Sequence, residues 1–388
     1  MPAREKSAGP QIVPAPMQAL ALHSAAIVAR GLRDLARESN WLVKKVFSGH
    51  ASSLAISPCG QMCAVSRGVR HGPERLIIYD IERSVPTLAL AVPGDFGAGA
   101  AGQPAVFAWS PEGDSLVAAW DVWARELYAF DFQGKSFLGS FGGFSNFPSS
   151  LVWSGEGKHF AASSAGGEGS HLRVWKAAGD PPGTLPFGPE PAGELDIAAC
   201  SAWNDWSARE EPAEHPLGDS EDGDSPAGFG RAAFSPNGAT LAAVIEVEGD
   251  WADDAIALLD VPQLTQRSLC RVQGSVTDLA WTADGRALIV CSGGQASRLL
   301  LDSPEPEPLP FGAELCACHP YLPVCVCFSS WLKNSAKGRL FLVDLEHLRV
   351  FDEYPAEGIV DLRWSYDGSK AWAATSEGLA CIYEPPLL

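Results

Sequence analysis

Basic residues are scarce in this sequence. Its 388 residues include 28 Lys and Arg against 47 Asp and Glu, which gives a formal net charge of −19. Nucleic acids and anionic membranes are bound through basic faces, so this composition argues against both as direct partners. We therefore expect protein partners, a basic one in particular. The alternative is that the acidity serves only solubility.

Long apolar runs are also missing. No stretch is long enough to cross a bilayer, and the N-terminus lacks the basic start, apolar stretch and small-residue cleavage site of a secretory signal. We expect a soluble protein without a membrane span. Several of the ten cysteines fall in apolar strand patterns, as small hydrophobic residues do in a reducing compartment. The predicted location is therefore intracellular, either cytoplasmic or nuclear.

Catalytic and cofactor motifs are few. The sequence has no P-loop, no nucleophile-elbow serine and no His pair at zinc-binding spacing. Gly97 to Gly102 has glycine-loop spacing but precedes a predicted strand, so we interpret it as a flexible loop. Cys316 and Cys318 with Cys325 and Cys327 suggest a zinc site, but they occupy the frame of core positions in the other units. We favour a packed core there, and expect no metal and no cofactor.

A serine- and proline-rich turn between two short apolar strands recurs seven times. The turns begin at Ser57, Ser110, Ser154, Ser235, Thr282, His319 and Ser365. Each unit reads as an inner strand a before the turn, an apolar strand b after it, a strand c that usually ends in an acid, and a strand d. The last unit lacks strand d. We predict that Leu42 to Phe47 supplies it by pairing with Leu379 to Tyr383, which closes a ring.

This pattern resembles the WD-repeat (WD40-like) β-propeller family from about Trp41 to Glu384. Gly49-His50 is similar to the family's Gly-His dipeptide, and Val174-Trp175-Lys176 stands where its Trp-Asp would end strand c. Most units lack both dipeptides, so we expect their hydrogen-bond network to be missing from several blades. The resemblance implies an all-β, seven-bladed β-propeller closed by an N-terminal strand. It also implies a non-enzymatic scaffold for protein–protein interaction.

Two segments stand apart from the repeats. Residues 1–40 form a predicted N-terminal arm with an amphipathic helix from Met17 to Glu38, and residues 41–388 form the propeller. The helix is expected to pack on the propeller, with partner binding or targeting as the alternative. An acidic insertion at about 204–228 is too polar to order itself.

One face of the propeller is the predicted partner-binding surface. In this fold the d-to-a and b-to-c connections emerge together, and they hold six tryptophans and the acidic insertion. Tryptophan is typical of interface cores, although each could instead pack into its own blade or cover the channel mouth. The predicted binding residues are Trp120, Trp123, Trp203, Trp206, Trp251, Trp331, Glu210, Glu211, Asp222 and Asp224.

Two other functions fit the sequence. The protein could be an accessory subunit of a large multiprotein complex, docked through its N-terminal helix. It could also be a lactonase-like enzyme that binds a small metabolite in the channel, with or without calcium. Asp278 and Asp361, near the channel end of strand a, are the candidate carboxylates for such an enzyme.

Overall fold

The computed structural model describes most of the propeller region. The described residues are 41–48, 53–67, 75–90, 104–120, 126–146, 148–164, 170–177, 187, 190–196, 227–247, 253–303, 305–330, 338–375 and 378–383. They contain 28 strands, β1 to β28, and no helix. Accordingly, no membrane-spanning helix is found within these ranges.

The strands form seven antiparallel four-stranded sheets, six of them from four consecutive strands. Blade one holds β2 (Leu54–Ile56), β3 (Met62–Arg67), β4 (Arg75–Asp80) and β5 (Val85–Leu90). Blade two holds β6 (Pro104–Trp109), β7 (Ser115–Trp120), β8 (Leu127–Asp131) and β9 (Ser136–Phe141). Blade three holds β10 (Pro148–Trp153), β11 (His159–Ser164), β12 (His171–Lys176) and β13 (Gly193–Asp196).

The remaining blades repeat this order. Blade four holds β14 (Ala227–Phe234), β15 (Thr240–Val247), β16 (Asp254–Asp260) and β17 (Thr265–Val272). Blade five holds β18 (Val276–Trp281), β19 (Ala287–Ser292), β20 (Gln295–Leu300) and β21 (Glu307–Pro308). Blade six holds β22 (Leu315–Cys318), β23 (Val324–Ser329), β24 (Arg339–Asp344) and β25 (Arg349–Pro355). The seventh sheet combines β26 (Ile359–Trp364), β27 (Ala371–Thr375), β28 (Gly378–Tyr383) and β1 (Trp41–Ser48).

The composite sheet closes the ring. Strand β1 pairs antiparallel with β28, with Trp41 opposite Tyr383 and Phe47 opposite Leu379. This is the pairing predicted for the two ends of the repeat region, and it is confirmed. Closure removes the unpaired edge that the last hairpin would otherwise leave open.

The first strands of the blades line a central channel. Each contacts its neighbours in the order β2, β6, β10, β14, β18, β22, β26 and back to β2. Indole N–H groups join neighbouring blades at one repeated place: Trp109 donates to the Ala55 carbonyl and Trp281 to the Ala233 carbonyl. Because equivalent positions meet, the inner strands run in the same direction. Apolar clusters fill the space between successive sheets.

The recurring turn has a physical reason. In blade one, the Ser57 hydroxyl accepts a hydrogen bond from the Met62 N–H, 3.0 Å away, and so fixes the first residue of strand b. Ser235 does the same for Thr240 in blade four, also at 3.0 Å. A side-chain hydroxyl that binds a nearby backbone N–H is the usual reason for serine in turns. The turn thus sets the register of the hairpin that follows.

The predicted fold class needs a correction. It added an N-terminal helical arm to the propeller, whereas the structure is all-β across the described residues. The predicted helix, Met17 to Glu38, lies outside them, as do residues 204–226 of the acidic insertion. An amphipathic pattern gains helical stability mainly from the surface it packs against, so the pattern alone did not establish a helix.

Candidate functional site at the central channel

Most of the predicted partner-binding residues lie outside the described part of the chain. Trp120 is the exception: it is the last residue of β7, and its backbone pairs with Pro104, the first residue of β6. The others are Trp123, Trp203, Trp206, Trp251, Trp331, Glu210, Glu211, Asp222 and Asp224.

The strand ends that flank these segments are described, and they share one face. The acidic insertion runs between β13 and β14, and the Trp251 segment follows β15. Ala227 of β14 is paired with Val247 of β15, so the two segments leave blade four side by side. Because all inner strands run in the same direction, the b-to-c and d-to-a connections of every blade begin on this same side. We call it the loop face.

Three charged residues lie on the inner strands near the loop face. Arg231, Asp278 and Asp361 each stand three residues before the aromatic residue that ends their strand. At each of these places the pairing with strand b shifts by a β-bulge or similar irregularity. Bulges redirect side chains and are common next to functional sites.

Asp278 joins three consecutive blades. Its Oδ1 accepts hydrogen bonds from Arg231 Nη1 of blade four, at 3.1 Å, and from the Leu279 N–H, at 3.0 Å. Its Oδ2 accepts the Cys316 N–H of blade six at 3.1 Å. The Asp278 side chain is only 3% exposed, whereas that of Arg231 is 39% exposed. Asp278 is therefore a buried anchor, and the guanidinium that it holds remains accessible.

Asp361 anchors a second guanidinium in the same way. Its buried Oδ1 lies 2.9 Å from Arg363 Nη1 and accepts the Leu362 N–H at 2.9 Å. Burial raises the pKa of Asp361; Arg363 and Arg231 oppose this rise, and Asp278 adds to it. Asp278 is also the main cause of a raised pKa at Arg231, to which Asp361 contributes. These four side chains thus form one electrostatic cluster on blades four, five and seven, which we call the charged quartet.

Blade three shows that the anchoring position can also be neutral. Ser150 stands at the same offset as Asp278, and its hydroxyl accepts the Ala232 N–H of blade four at 3.2 Å. This contact is equivalent to the one between Asp278 and Cys316. A neutral hydroxyl at this position can therefore also join inner strands, and the negative charges of blades five and seven are paired with Arg231 and Arg363.

Arg363 belongs to a ring of equivalent positions, one on each inner strand. The residue before the final aromatic, or before the residue in its place, is small in the six other blades: Ala55, Ala108, Val152, Ala233, Ala280 and Ala317. Five of these six are partly accessible, as expected for channel walls. Arg363 is the one charged member of the ring, and its side chain is 41% exposed.

One of two hydrogen-bonded tyrosines crosses the channel at the face opposite the loop face. The Tyr366 hydroxyl donates to the Gly155 carbonyl at 3.1 Å, and the Tyr321 hydroxyl donates to the Tyr366 carbonyl at 3.0 Å. Blades seven and three are not neighbours, so Tyr366 reaches across the axis. Partial burial raises the pKa of Tyr366 to about 12, with Tyr321 and Glu112 adding to the rise. The hydroxyl therefore stays a hydrogen-bond donor.

The cysteines of blade six belong to the core, as predicted. Cys316 is paired with Cys327, and Cys318 with Cys325. Cys316, Cys325 and Cys327 are buried in one apolar cluster with Cys291 of blade five. Burial raises the pKa of Cys325 to about 12, so its thiol stays protonated. The Cys318 thiol donates to the Ala280 carbonyl at 3.9 Å, the place that an indole N–H takes in other blades.

Among the described residues, one group has the residue types of a metal site. Asp344, Glu346 and His347 lie close together at the end of β24. Asp344 accepts the N–H groups of Glu346 and His347 at 3.0 and 3.2 Å. Asp131 accepts the Gly134 N–H in the equivalent turn of blade two, at 2.9 Å. The group is therefore a repeated turn that caps its own backbone, and we do not interpret it as a metal centre.

Sequence reasoning found half of the charged quartet. It singled out Asp278 and Asp361 as channel carboxylates but missed Arg231 and Arg363. The signal was present, because Arg231 stands three residues before Phe234, as Asp278 does before Trp281. An alignment of the units on the last residue of strand a would have found it.

Comparisons with known proteins support the fold alone. No protein-family model and no curated protein matches the sequence. Among solved structures, a chain of Kuenenia stuttgartiensis hydrazine synthase is similar, with a TM-score of 0.62 and 15% sequence identity. The match covers 87% of this chain and 97% of that one. At this identity the likeness establishes a β-propeller and carries no activity across.

Proposed function

We propose that the protein is a binding platform that captures protein partners on its loop face. The observation that carries this proposal is the pairing of Ala227 with Val247, which brings the flanks of the acidic insertion and of the Trp251 segment together. The described strand ends that flank the tryptophan-containing and acidic segments thus lie on one side of the ring. Aromatic residues supply most binding energy in protein interfaces, and acidic residues steer a basic partner.

The contacts of the channel carboxylates fit a platform. Asp278 uses both oxygens, on a guanidinium and on two backbone N–H groups. A general base needs an oxygen within reach of substrate, and the recorded contacts of Asp278 join blades instead. This favours the platform over the lactonase-like alternative. No observation in the described ranges supports the accessory-subunit alternative.

Substitution of two loop-face tryptophans tests the proposal. Trp123→Ala combined with Trp251→Ala should lower partner capture by the immobilised full chain at least about tenfold, with the melting temperature nearly unchanged. Phe137→Ala is the control: this ring is 45% exposed and stands at the other end of its blade, on β9. The proposal fails if the double variant captures the same proteins as the parent, or if it loses capture only because it unfolds.

A further inference from the structure

The strongest unassigned feature is the orientation of the two guanidinium groups in the charged quartet. Arg363 makes both of its recorded contacts through Nη1, to Asp361 and to the Leu362 carbonyl. Arg231 likewise uses Nη1 on Asp278. Within the described residues, Nε and Nη2 of both side chains have no recorded partner. These two atoms form the edge of arginine that binds a carboxylate through two parallel N–H···O bonds.

The setting of Arg363 leaves its side chain accessible. The equivalent positions of the six other blades carry small residues, and the Arg363 side chain is 41% exposed although its strand lies on the inner wall of the ring. On the opposite face, Tyr366 crosses the channel to blade three. A molecule that enters from the loop face would therefore meet Arg231 and Arg363 before this barrier.

The buried aspartates explain how such a site keeps its shape. An arginine side chain loses rotamer freedom when it binds, and this costs free energy. Asp278 and Asp361 hold the two guanidinium groups in place before any ligand arrives. They also balance the two positive charges, and the carboxyl group of Glu246 acts on Arg231 as well, so the site has no excess positive charge and attracts a ligand by directed hydrogen bonds. That favours a group whose geometry matches the free edge over a simple inorganic anion.

We infer that the charged quartet is a carboxylate-binding site, in which the free edges of Arg363 and Arg231 bind a carboxylate group inside the channel. The carboxylate belongs either to a small organic acid or to the C-terminus of a bound polypeptide, because both present the same two oxygens. The inference goes beyond the platform function and does not depend on it, since the tryptophans of the loop face take no part.

Calorimetric titration of the full chain with acetate and succinate tests the site at constant ionic strength. A peptide with a free C-terminus is titrated beside the same peptide with an amidated C-terminus. We expect saturable binding of at least one free carboxylate. Arg363→Gln should weaken it about tenfold or more, because hydrogen bonds to a charged group are lost. Arg286→Gln, at an exposed turn residue of blade five, should leave it unchanged.

Arg363→Lys is a conservative second variant that separates loss of binding from loss of folding. Lysine keeps a cation beside Asp361 but has no forked edge, so it too should weaken binding about tenfold. Binding of small acids identifies a metabolite site, and binding of the free-carboxylate peptide alone identifies a polypeptide terminus. The inference is overturned if no carboxylate binds, if chloride produces the same response, or if folded Arg363→Lys binds as the parent does. Partner capture through Trp123 and Trp251 would be unaffected by that failure.

Discussion

The carboxylate of Asp278 in blade five accepts the backbone N–H of Cys316 in blade six, at 3.1 Å, while its other oxygen holds Arg231 of blade four. One buried side chain thus joins three inner strands. The bulge between Val276 and Asp278 shifts the strand pairing beside it. The link therefore depends on an irregularity of the sheet as well as on residue type.

Removal of the Asp278 carboxylate should destabilise the propeller. Asp278→Ala leaves the buried Cys316 N–H without its acceptor and Arg231 without its anchor, so we expect a loss of about 2–3 kcal/mol in the free energy of unfolding. Asp278→Asn should lower the free energy of unfolding by less, because the asparagine amide oxygen still accepts the Cys316 N–H. Denaturant unfolding measures both. Asp302→Ala, at an exposed position, is the control; equal effects of Asp278→Ala and Asp302→Ala would contradict the anchoring role.

The strand order was predictable because the turn signals are local. Serine or threonine at the start of the a-to-b turn binds an N–H five residues on, as Ser57 binds that of Met62, and this contact needs no information from distant residues. The limits of the short outer strands were harder to predict from the sequence. Strand d of blade five, β21, spans only Glu307–Pro308. Outer strands have a single neighbour, so their limits depend on tertiary contacts.

Two tryptophans at the same repeat position should respond differently to substitution by phenylalanine. The Trp281 indole donates to the Ala233 carbonyl at 2.9 Å. The buried Trp153 Nε1 has no acceptor within the described ranges. Both changes remove ring volume, but only Trp281→Phe breaks a hydrogen bond between blades. We expect Trp281→Phe to cost about 1 kcal/mol more than Trp153→Phe in denaturant unfolding. A larger cost for Trp153→Phe would refute this account.

Glu246 should make the protein less stable as pH rises. Burial raises its pKa above the ordinary 4.5; Asp254 adds to the rise and Arg231 opposes it. The folded state then binds more protons than the unfolded state between the two pKa values, so the free energy of unfolding falls as pH rises from about 4.5 through the folded pKa. Glu246→Gln removes this loss. As pH rises from about 4 to about 7, the melting temperature of Glu246→Gln should rise relative to that of the parent. A difference in melting temperature that does not change with pH would exclude the effect.

Asp284 should show the opposite dependence on pH. Burial acts to raise its pKa, but hydrogen bonds from the Thr282 hydroxyl and the Arg286 N–H outweigh it, and the pKa lies below the ordinary 3.8. Ionised Asp284 therefore stabilises the fold above that pH, and this stabilisation is lost as pH falls through the folded pKa.

Asp284→Asn isolates the charge of this turn. Asparagine fits the geometry, because Asn237 accepts the Ser235 hydroxyl at the same place in blade four, at 2.8 Å. We expect the variant to melt below the parent near neutral pH and to match it in acid, as recorded by circular dichroism. A deficit that persists in acid would show that the substitution acts through shape and not through charge.

The charged quartet was only partly predictable. Asp278 and Asp361 could be identified as acids near the channel end of strand a, although two acids are a weak signal in a chain with 47 Asp and Glu. Arg231 and Asp278 are far apart in sequence, and their contact depends on the placement of blades four and five around the ring. No local pattern encodes that placement. The free edge of Arg363 is also invisible in sequence, since it depends on which nitrogen faces Asp361.

The pairing of β1 with β28 changes how this repeat protein is expected to come apart. An open solenoid frays from its terminal repeats, because each of them has only one neighbour. Here β1 and β28 are paired in a single sheet, and every sheet of the described ring has a neighbour on each side. Loss of the β1–β28 pairing would open the ring and affect all the blades together. We therefore expect one cooperative unfolding transition and no unfolding of single blades in steps.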